Sequence, residues 1–240
     1  MAKTKLDIPG TNEIILEAVR KIEAKDPEKL QASYIEKNFS ELCEIIFDEA
    51  YRIYQQHERN ILDDLSDSLL KKFYRKNFSE ADFKKMISEV VFESTSIEKS
   101  LKQSRASRAG KSFELIVMKL LDEIGIPNEH ITTEDKKSGL RPIDIVVPDT
   151  KTAIHDPFKA HFLSLKTSLK DRWKLVVEDQ NQGQRTYLLT LLQREKLTKE
   201  VADKIVNAGI LLFIPDKIKQ EQFPNKQGIN KLSDIPKNLK

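Results

Sequence analysis

Two hundred and forty residues, 39% of them apolar, are enough for a folded chain with a sizeable core, and one cysteine, Cys43, excludes both a disulfide framework and a cysteine-based zinc site. No run of about 18 apolar residues is present to span a membrane, and MAKTKLDIPG at the start lacks the apolar stretch of a signal peptide, so the expected location is cytoplasmic. The net charge of +3 is unevenly divided: residues 1–100 hold 16 Lys/Arg against 20 Asp/Glu, and residues 101–240 hold 25 against 18. The basic excess of the second part suits a polyanionic partner, and it equally suits a lysine-rich solvated surface.

The first hundred residues predict helices. NFSELCEIIFDEAYRIYQQ (38–56) sets Leu42, Ile45, Ile46, Ala50, Ile53 and Tyr54 at helical spacing. SEADFKKMISEVVFES (79–94) opens on Ser79 and Asp82 in a capping pattern, ahead of Phe83, Met86, Ile87, Val90 and Val91. No glycine falls between Gly10 and Gly110. These stripes are expected to be core, or a helix face turned to a partner, with no chemistry of their own.

After about residue 101 the rhythm changes. RAGKSFELIVMKLLDEIG (108–125) predicts a helix with Phe113, Ile116, Val117, Leu120, Leu121 and Ile124 on one face, stopped by Gly125 and Pro127. Four short strand-like runs follow at 142–148, 160–167, 186–192 and 209–214, with helical segments expected near 169–181 and 197–207. Strands alternating with helices predict an α/β chain, a central sheet flanked by helices, behind an N-terminal helical region.

On the two-residue period of a strand, Asp144 points away from Ile143, Ile145 and Val147, while Ser164 and Lys166 point away from Leu163 and Leu165. If the two strands are neighbours, Asp144 and Lys166 meet. An acid on one strand and a lysine on the next make the minimal pattern of a metal-dependent phosphodiesterase: the carboxylate holds Mg2+ and the ammonium stabilises developing negative charge. One Asp holds a hard cation poorly, and the position two before the lysine is Ser164. Asp179, two helical turns beyond Arg172, is the candidate second carboxylate, with Glu178 in reserve.

SRAGKSFE (107–114), RPIDIVVPD (141–149), LSLKTSLKDRWK (163–174), YLLTLLQ (187–193) and GILLFIPD (209–216) together resemble, in order and spacing, the catalytic domain of EcoRII-type Type II restriction endonucleases. These are members of the PD-(D/E)XK nuclease superfamily, and the resemblance spans about residues 104–216. It implies a restriction-endonuclease-like α+β fold with a mixed sheet, Asp144 as metal-binding aspartate, Lys166 as catalytic lysine and Asp179, where the subgroup usually has Glu, as displaced second ligand. Ser164 stands in the vacated ligand position, and Glu114 corresponds to the helix acid that supports such metal sites. Asp149, in the literal Pro148-Asp149, falls at the strand end and is a decoy.

The resemblance also assigns Lys170, Asp171 and Arg172 to reading adjacent C·G pairs in the major groove, which suits their chemistry: Arg and Lys donate to guanine, and a carboxylate accepts from cytosine N4. The expectation is therefore a helical region over 1–100 for packing or dimer contacts and a nuclease domain over 101–240. The enzyme would be a homodimer that cuts double-stranded DNA with Mg2+ at a CCWGG or CCNGG kind of site, beside a companion DNA methyltransferase. A nuclease of the same superfamily without sequence preference, and a catalytically silent DNA-binding protein, are the rival readings.

Overall fold

The computed structural model describes residues 8–74, 79–132, 135, 143–169, 172–178, 185–192 and 196–240. Three helices come first: α1 (Thr11–Lys25), α2 (Ala32–Phe73) and α3 (Glu80–Glu123). The predicted Ser79 cap is formed in both directions, Asp82 N donating to Ser79 Oγ at 3.1 Å and Ser79 N to Asp82 Oδ2 at 3.3 Å. α3 then runs on for 44 residues, through position 100 and into the helix expected at 108. It ends where the sequence indicated: Gly125 takes φ +71°, Ile126 N donates to Leu121 O at 2.9 Å and Gly125 N to Asp122 O at 3.0 Å. That double bond satisfies carbonyls the helix end would otherwise leave bare.

The remainder is a mixed sheet and its crossover helices: β1 (Glu129–His130), β2 (Ile145–Val147), α4 (Thr150–His155), β3 (His161–Lys166), α5 (Arg172–Glu178), β4 (Arg185–Thr190), α6 (Lys199–Asn207), β5 (Leu211–Ile214), α7 (Asp216–Gln222), β6 (Ile229–Lys231) and α8 (Ile235–Leu239). The strands lie in sequence order; β1, β2 and β3 pair antiparallel, and β3 to β6 pair parallel through α5, α6 and α7.

Alternation along the strands divides the core between the two faces. Ile145, Val147, Leu163, Leu165, Tyr187, Leu189 and Phe213 join α1, α2 and the second half of α3 in the largest cluster. On the other face, Val146 and Phe162 pack with Ala153 and Ala160, while Leu188, Leu212 and Ile214 pack with Trp173, Val176, Ala202 and Ile205. Ile143 leaves the expected alternation and joins the cluster of Val146, because β2 starts only at Ile145. Between the two smaller clusters β3 presents Ser164 and Lys166, so the packing itself leaves a polar position in the middle of the sheet.

The first half of α2 is buried along Ile35, Phe39, Leu42, Ile46, Ala50 and Ile53, as the periodicity required. Ser40 ties it to the C-terminal segment, its N–H donating to Ser233 Oγ at 3.1 Å and its Oγ accepting from Asp216 N at 3.2 Å. The 79–94 stripe behaves differently: Phe83, Ile87 and Val91 are exposed. Among the described residues, no helix is long and apolar enough to cross a membrane.

Candidate active site

The antiparallel register of β2 on β3, Ile145 opposite Leu163, places Asp144 beside the C-terminal half of β3. Its backbone continues the ladder, N–H donating to Leu163 O at 2.9 Å and C=O accepting from Ile131 N at 3.0 Å. Three donors then converge on one carboxylate oxygen, Oδ2: Lys166 Nζ at 2.7 Å, Leu165 N at 2.7 Å and Ser164 Oγ at 3.5 Å. Lys166 Nζ also donates to Leu165 O at 3.1 Å. Asp144 is 9% exposed and Ser164 fully buried, so this carboxylate oxygen is met by a charged, a backbone and a hydroxyl donor of the protein itself. The meeting of Asp144 and Lys166 expected from strand parity is thus present, and Ser164 completes it.

Asp149 has a different employment. It is the N-cap of α4, Oδ1 accepting from Thr152 N at 2.7 Å, and those bonds hold its carboxyl below the usual carboxylate range. Glu114, on α3, contacts neither Asp144 nor Lys166 through any hydrogen bond or ion pair among the described residues; its Oε2 meets His130 Nε2 at 2.8 Å and Lys111 Nζ at 3.2 Å. Lys111 Nζ lies 2.7 Å from the same His130 nitrogen. Since β1 pairs with β2, His130 sits opposite Ile145, next door to Asp144. His130 and Lys111 were not legible in the sequence: they stand 19 residues apart and meet only through the fold.

Arg172 opens α5 and is exposed, and Glu178 closes it, also exposed, while Trp173 and Val176 fix the helix to the sheet. Lys170, Asp171 and Asp179 lie outside the described residues. Among the described residues no group of three or more His, Cys, Asp or Glu is gathered for a metal. Thr167, directly after Lys166, forms part of the wall of a cleft of about 600 Å3 that also takes in Tyr51, Tyr54, Lys102, Arg105 and Arg108. There Arg105 grips the buried Glu58 by two nitrogens, Nε to Oε1 and Nη2 to Oε2, both at 2.8 Å, and the Arg108 guanidinium stands 5.2 Å from the Tyr54 ring centroid.

With this geometry in view, the family described as EcoRII C terminal matches residues 70–233. The chain belongs to that family. It is 28% identical over 135 residues to the Type II restriction enzyme EcoRII of Escherichia coli, an alignment covering 55% of this chain and 32% of the relative. It is 27% identical over 141 residues to the Type II restriction enzyme SsoII of Shigella sonnei, covering 55% and 45%. The match thus spans less than half the length of either curated relative. Among solved structures, metal-depleted Ecl18kI in complex with uncleaved DNA superposes with a TM-score of 0.79 at 20% identity, covering 97% of this chain and 78% of that one. The restriction endonuclease PspGI in its substrate DNA complex gives 0.65 at 22% identity, covering 97% and 92%. The fold is that of these restriction endonucleases, and the matched stretch contains Glu114, Asp144, Ser164, Lys166 and Arg172.

Proposed function

We propose that this member of the family is a Type II restriction endonuclease of the PD-(D/E)XK kind, which hydrolyses double-stranded DNA at a short CC/GG-containing site of the CCWGG or CCNGG kind. The observation that carries the reading is the Asp144–Lys166 contact of 2.7 Å between adjacent strand ends, in a chain of this family. Lys166 Nζ is held in place by Asp144 Oδ2 and Leu165 O, poised to stabilise negative charge on a phosphate brought to the C-terminal end of β3.

Asp144 fits a divalent cation, because its described donors converge on Oδ2, and a second carboxylate would come from Asp179, or from Glu178 in its place. Mg2+ bound there would neutralise phosphate charge and lower the pKa of the attacking water. Glu114 would support the site from α3 through His130. Lys170, Asp171 and Arg172 would read C·G pairs, Arg172 donating to guanine and Asp171 accepting from cytosine N4. A palindromic site calls for a homodimer, and a DNA methyltransferase of the same specificity would be the companion.

Digesting a sequenced plasmid with the purified protein and Mg2+, then mapping the ends, tests this. Discrete fragments whose ends fall at CC/GG sites are the expected result. A smear would replace site-specific cleavage by an unspecific nuclease, and an intact plasmid would leave a DNA-binding protein without catalysis.

A further inference from the structure

The cleft beside Thr167 holds positive groups that the chemistry at Asp144 and Lys166 does not use. Lys102, Arg105 and Arg108 of α3 line it, facing Tyr51 and Tyr54 of α2. Residues three apart on a helix share a face, so the three cations stand along one wall. Arg108 commits its nitrogens within the chain, Nη1 donating to Pro9 O at 2.6 Å, Nη2 to Ile8 O at 3.4 Å and Nε to Ser104 Oγ at 3.1 Å. These acceptors are neutral, so they leave its charge uncompensated.

Arg105 is held differently. Glu58 engages its Nε and Nη2, while Nη1 has no hydrogen-bond partner among the described residues. The Glu58 side chain is 6% exposed and that of Arg105 47%, so a buried carboxylate grips one edge of the fork and leaves the other edge open. Lys102, one turn earlier, is exposed and makes no ion pair among the described residues. Stability alone is a poor reason for the Glu58–Arg105 pair, since apolar side chains of similar volume would pack the two helices as well. A guanidinium fixed on one edge and open on the other suits an oxyanion, because its planar donors are already ordered before the ligand arrives. Two cations on adjacent turns also repel each other until an anion joins them. Asp48, the acid lining the cleft among the described residues, lies ten positions before Glu58 on α2, about 15 Å along the helix, and leaves the Lys102 end positive.

We infer that this cleft seats a backbone phosphate of the substrate DNA other than the one that is cut. Arg105 and Lys102 donate to its oxygens, and Glu58 is a positioning residue that keeps the Arg105 fork aimed. Thr167 gives the connection: it follows Lys166 directly and forms part of the same cleft, so a strand whose scissile phosphate lies at Lys166 continues past Thr167 into it. Such a contact fixes the register of the strand without reading a base. The inference rests on the nuclease reading for the strand held at Lys166.

The test is binding of the full chain to CCWGG and CCNGG duplexes, followed by fluorescence anisotropy over a range of NaCl concentrations in EDTA, so that nothing is cut. Loss of one phosphate contact lowers the slope of log affinity against log salt by about one. Lys102→Gln, at an exposed side chain, should show that loss on every duplex. Lys99→Gln removes the same charge from the same helix outside the cleft, and should move the slope by no more than about half as much. Arg105→Lys keeps both the charge and a partner for Glu58, yet should weaken binding about tenfold, because an ammonium lacks the second fixed edge. Glu58→Leu makes the chain more positive and should still weaken binding, since the fork loses its support. Circular dichroism checks that each variant is folded. Lys102→Gln indistinguishable from Lys99→Gln, Arg105→Lys binding as wild type does, or Glu58→Leu binding more tightly overturns the proposal. A wild type that binds no duplex brings down the nuclease reading with it, whereas variants that keep the wild-type slope and still cut with Mg2+ remove this proposal alone.

Discussion

The sheet around Asp144 and the distal α2–α3 hairpin are built from the same materials, apolar residues at regular spacing with charges between them, and they come to opposite ends. In the sheet, Phe162, Leu163, Leu188 and Leu189 are fully buried on both faces, and the polar residues admitted there, Asp144, Ser164 and Lys166, bond to one another. In the hairpin, Phe83, Ile87 and Val91 keep half of their surface exposed, and the charges lie on the opposite face or its flanks. A periodic pattern says which face of an element is apolar. It does not say whether the cover comes from the same chain or from another molecule.

The largest expected effects lie where the polar residues are buried. Asp144→Asn keeps an acceptor for the Leu165 N–H but removes the anion that holds Lys166, so the cleavage rate should fall by a factor on the order of a thousand or more, with DNA affinity within about tenfold. Gel-shift and single-turnover assays on the same duplex separate the two. Asp179→Ala should be far more damaging than Glu178→Ala, and the reverse ranking would move the second carboxylate to Glu178.

Stability sharpens the same contrast. Phe162→Ala should cost about 3–5 kcal/mol in urea unfolding, because it empties a site closed on all sides. Phe83→Ser, measured at concentrations low enough to keep copies apart, should change stability by no more than about 0.5 kcal/mol. A large loss at Phe83 would mean that its own chain covers it.

Recognition comes next in size. Arg172 is exposed at the start of α5, so Arg172→Ala should leave folding intact and cost about 1–3 kcal/mol of discrimination at one C·G pair. Arg172→Lys should also fail, since an ammonium cannot reproduce the planar fork. Duplexes with each C·G pair replaced in turn locate the effect; uniform loss on all of them would make Arg172 a phosphate contact.

The smallest effect is in the pH dependence of folding. His161 stacks on Tyr187 at 5.5 Å between centroids, and burial, aided by Arg185, pushes its imidazole below the ordinary value. A histidine whose folded pKa is depressed contributes stability that is complete above the unfolded value, about 6.5, and is lost as pH falls toward the folded one. The urea midpoint of the wild type should therefore drop over that window. His161→Gln should flatten the drop, and an unchanged slope would place the titrating group elsewhere.

The Asp144–Lys166 contact was legible because the two-residue strand period suffices for it. Strand parity turned Asp144 and Lys166 away from the apolar residues of their runs, and the pairing of β2 with β3, which the sequence left as a condition, brings them together. The edge strands were not legible, since two residues at Glu129–His130 and three at Ile229–Lys231 are too short to show alternation. The single 44-residue α3 was read as two helices because its apolar pattern thins to Ile97 and Leu101 between them, although no proline interrupts it. The Glu114–His130–Lys111 contact depends on β1 docking beside α3, which no local signal announces. Helical spacing offered Asp179 as a candidate second carboxylate, and the family resemblance alone suggested base reading by Lys170, Asp171 and Arg172, which spacing does not distinguish from ordinary charges.

The central claim is that Lys166, held against Asp144, is the catalytic group of a site-specific nuclease. It is tested most directly by giving wild type and Lys166→Ala the same end-labelled CCWGG and CCNGG duplexes with Mg2+. The account predicts that the wild type cuts at defined phosphates of at least one duplex, while Lys166→Ala binds that duplex within about tenfold and leaves it whole. Cleavage by Lys166→Ala at the wild-type positions and rate would contradict it.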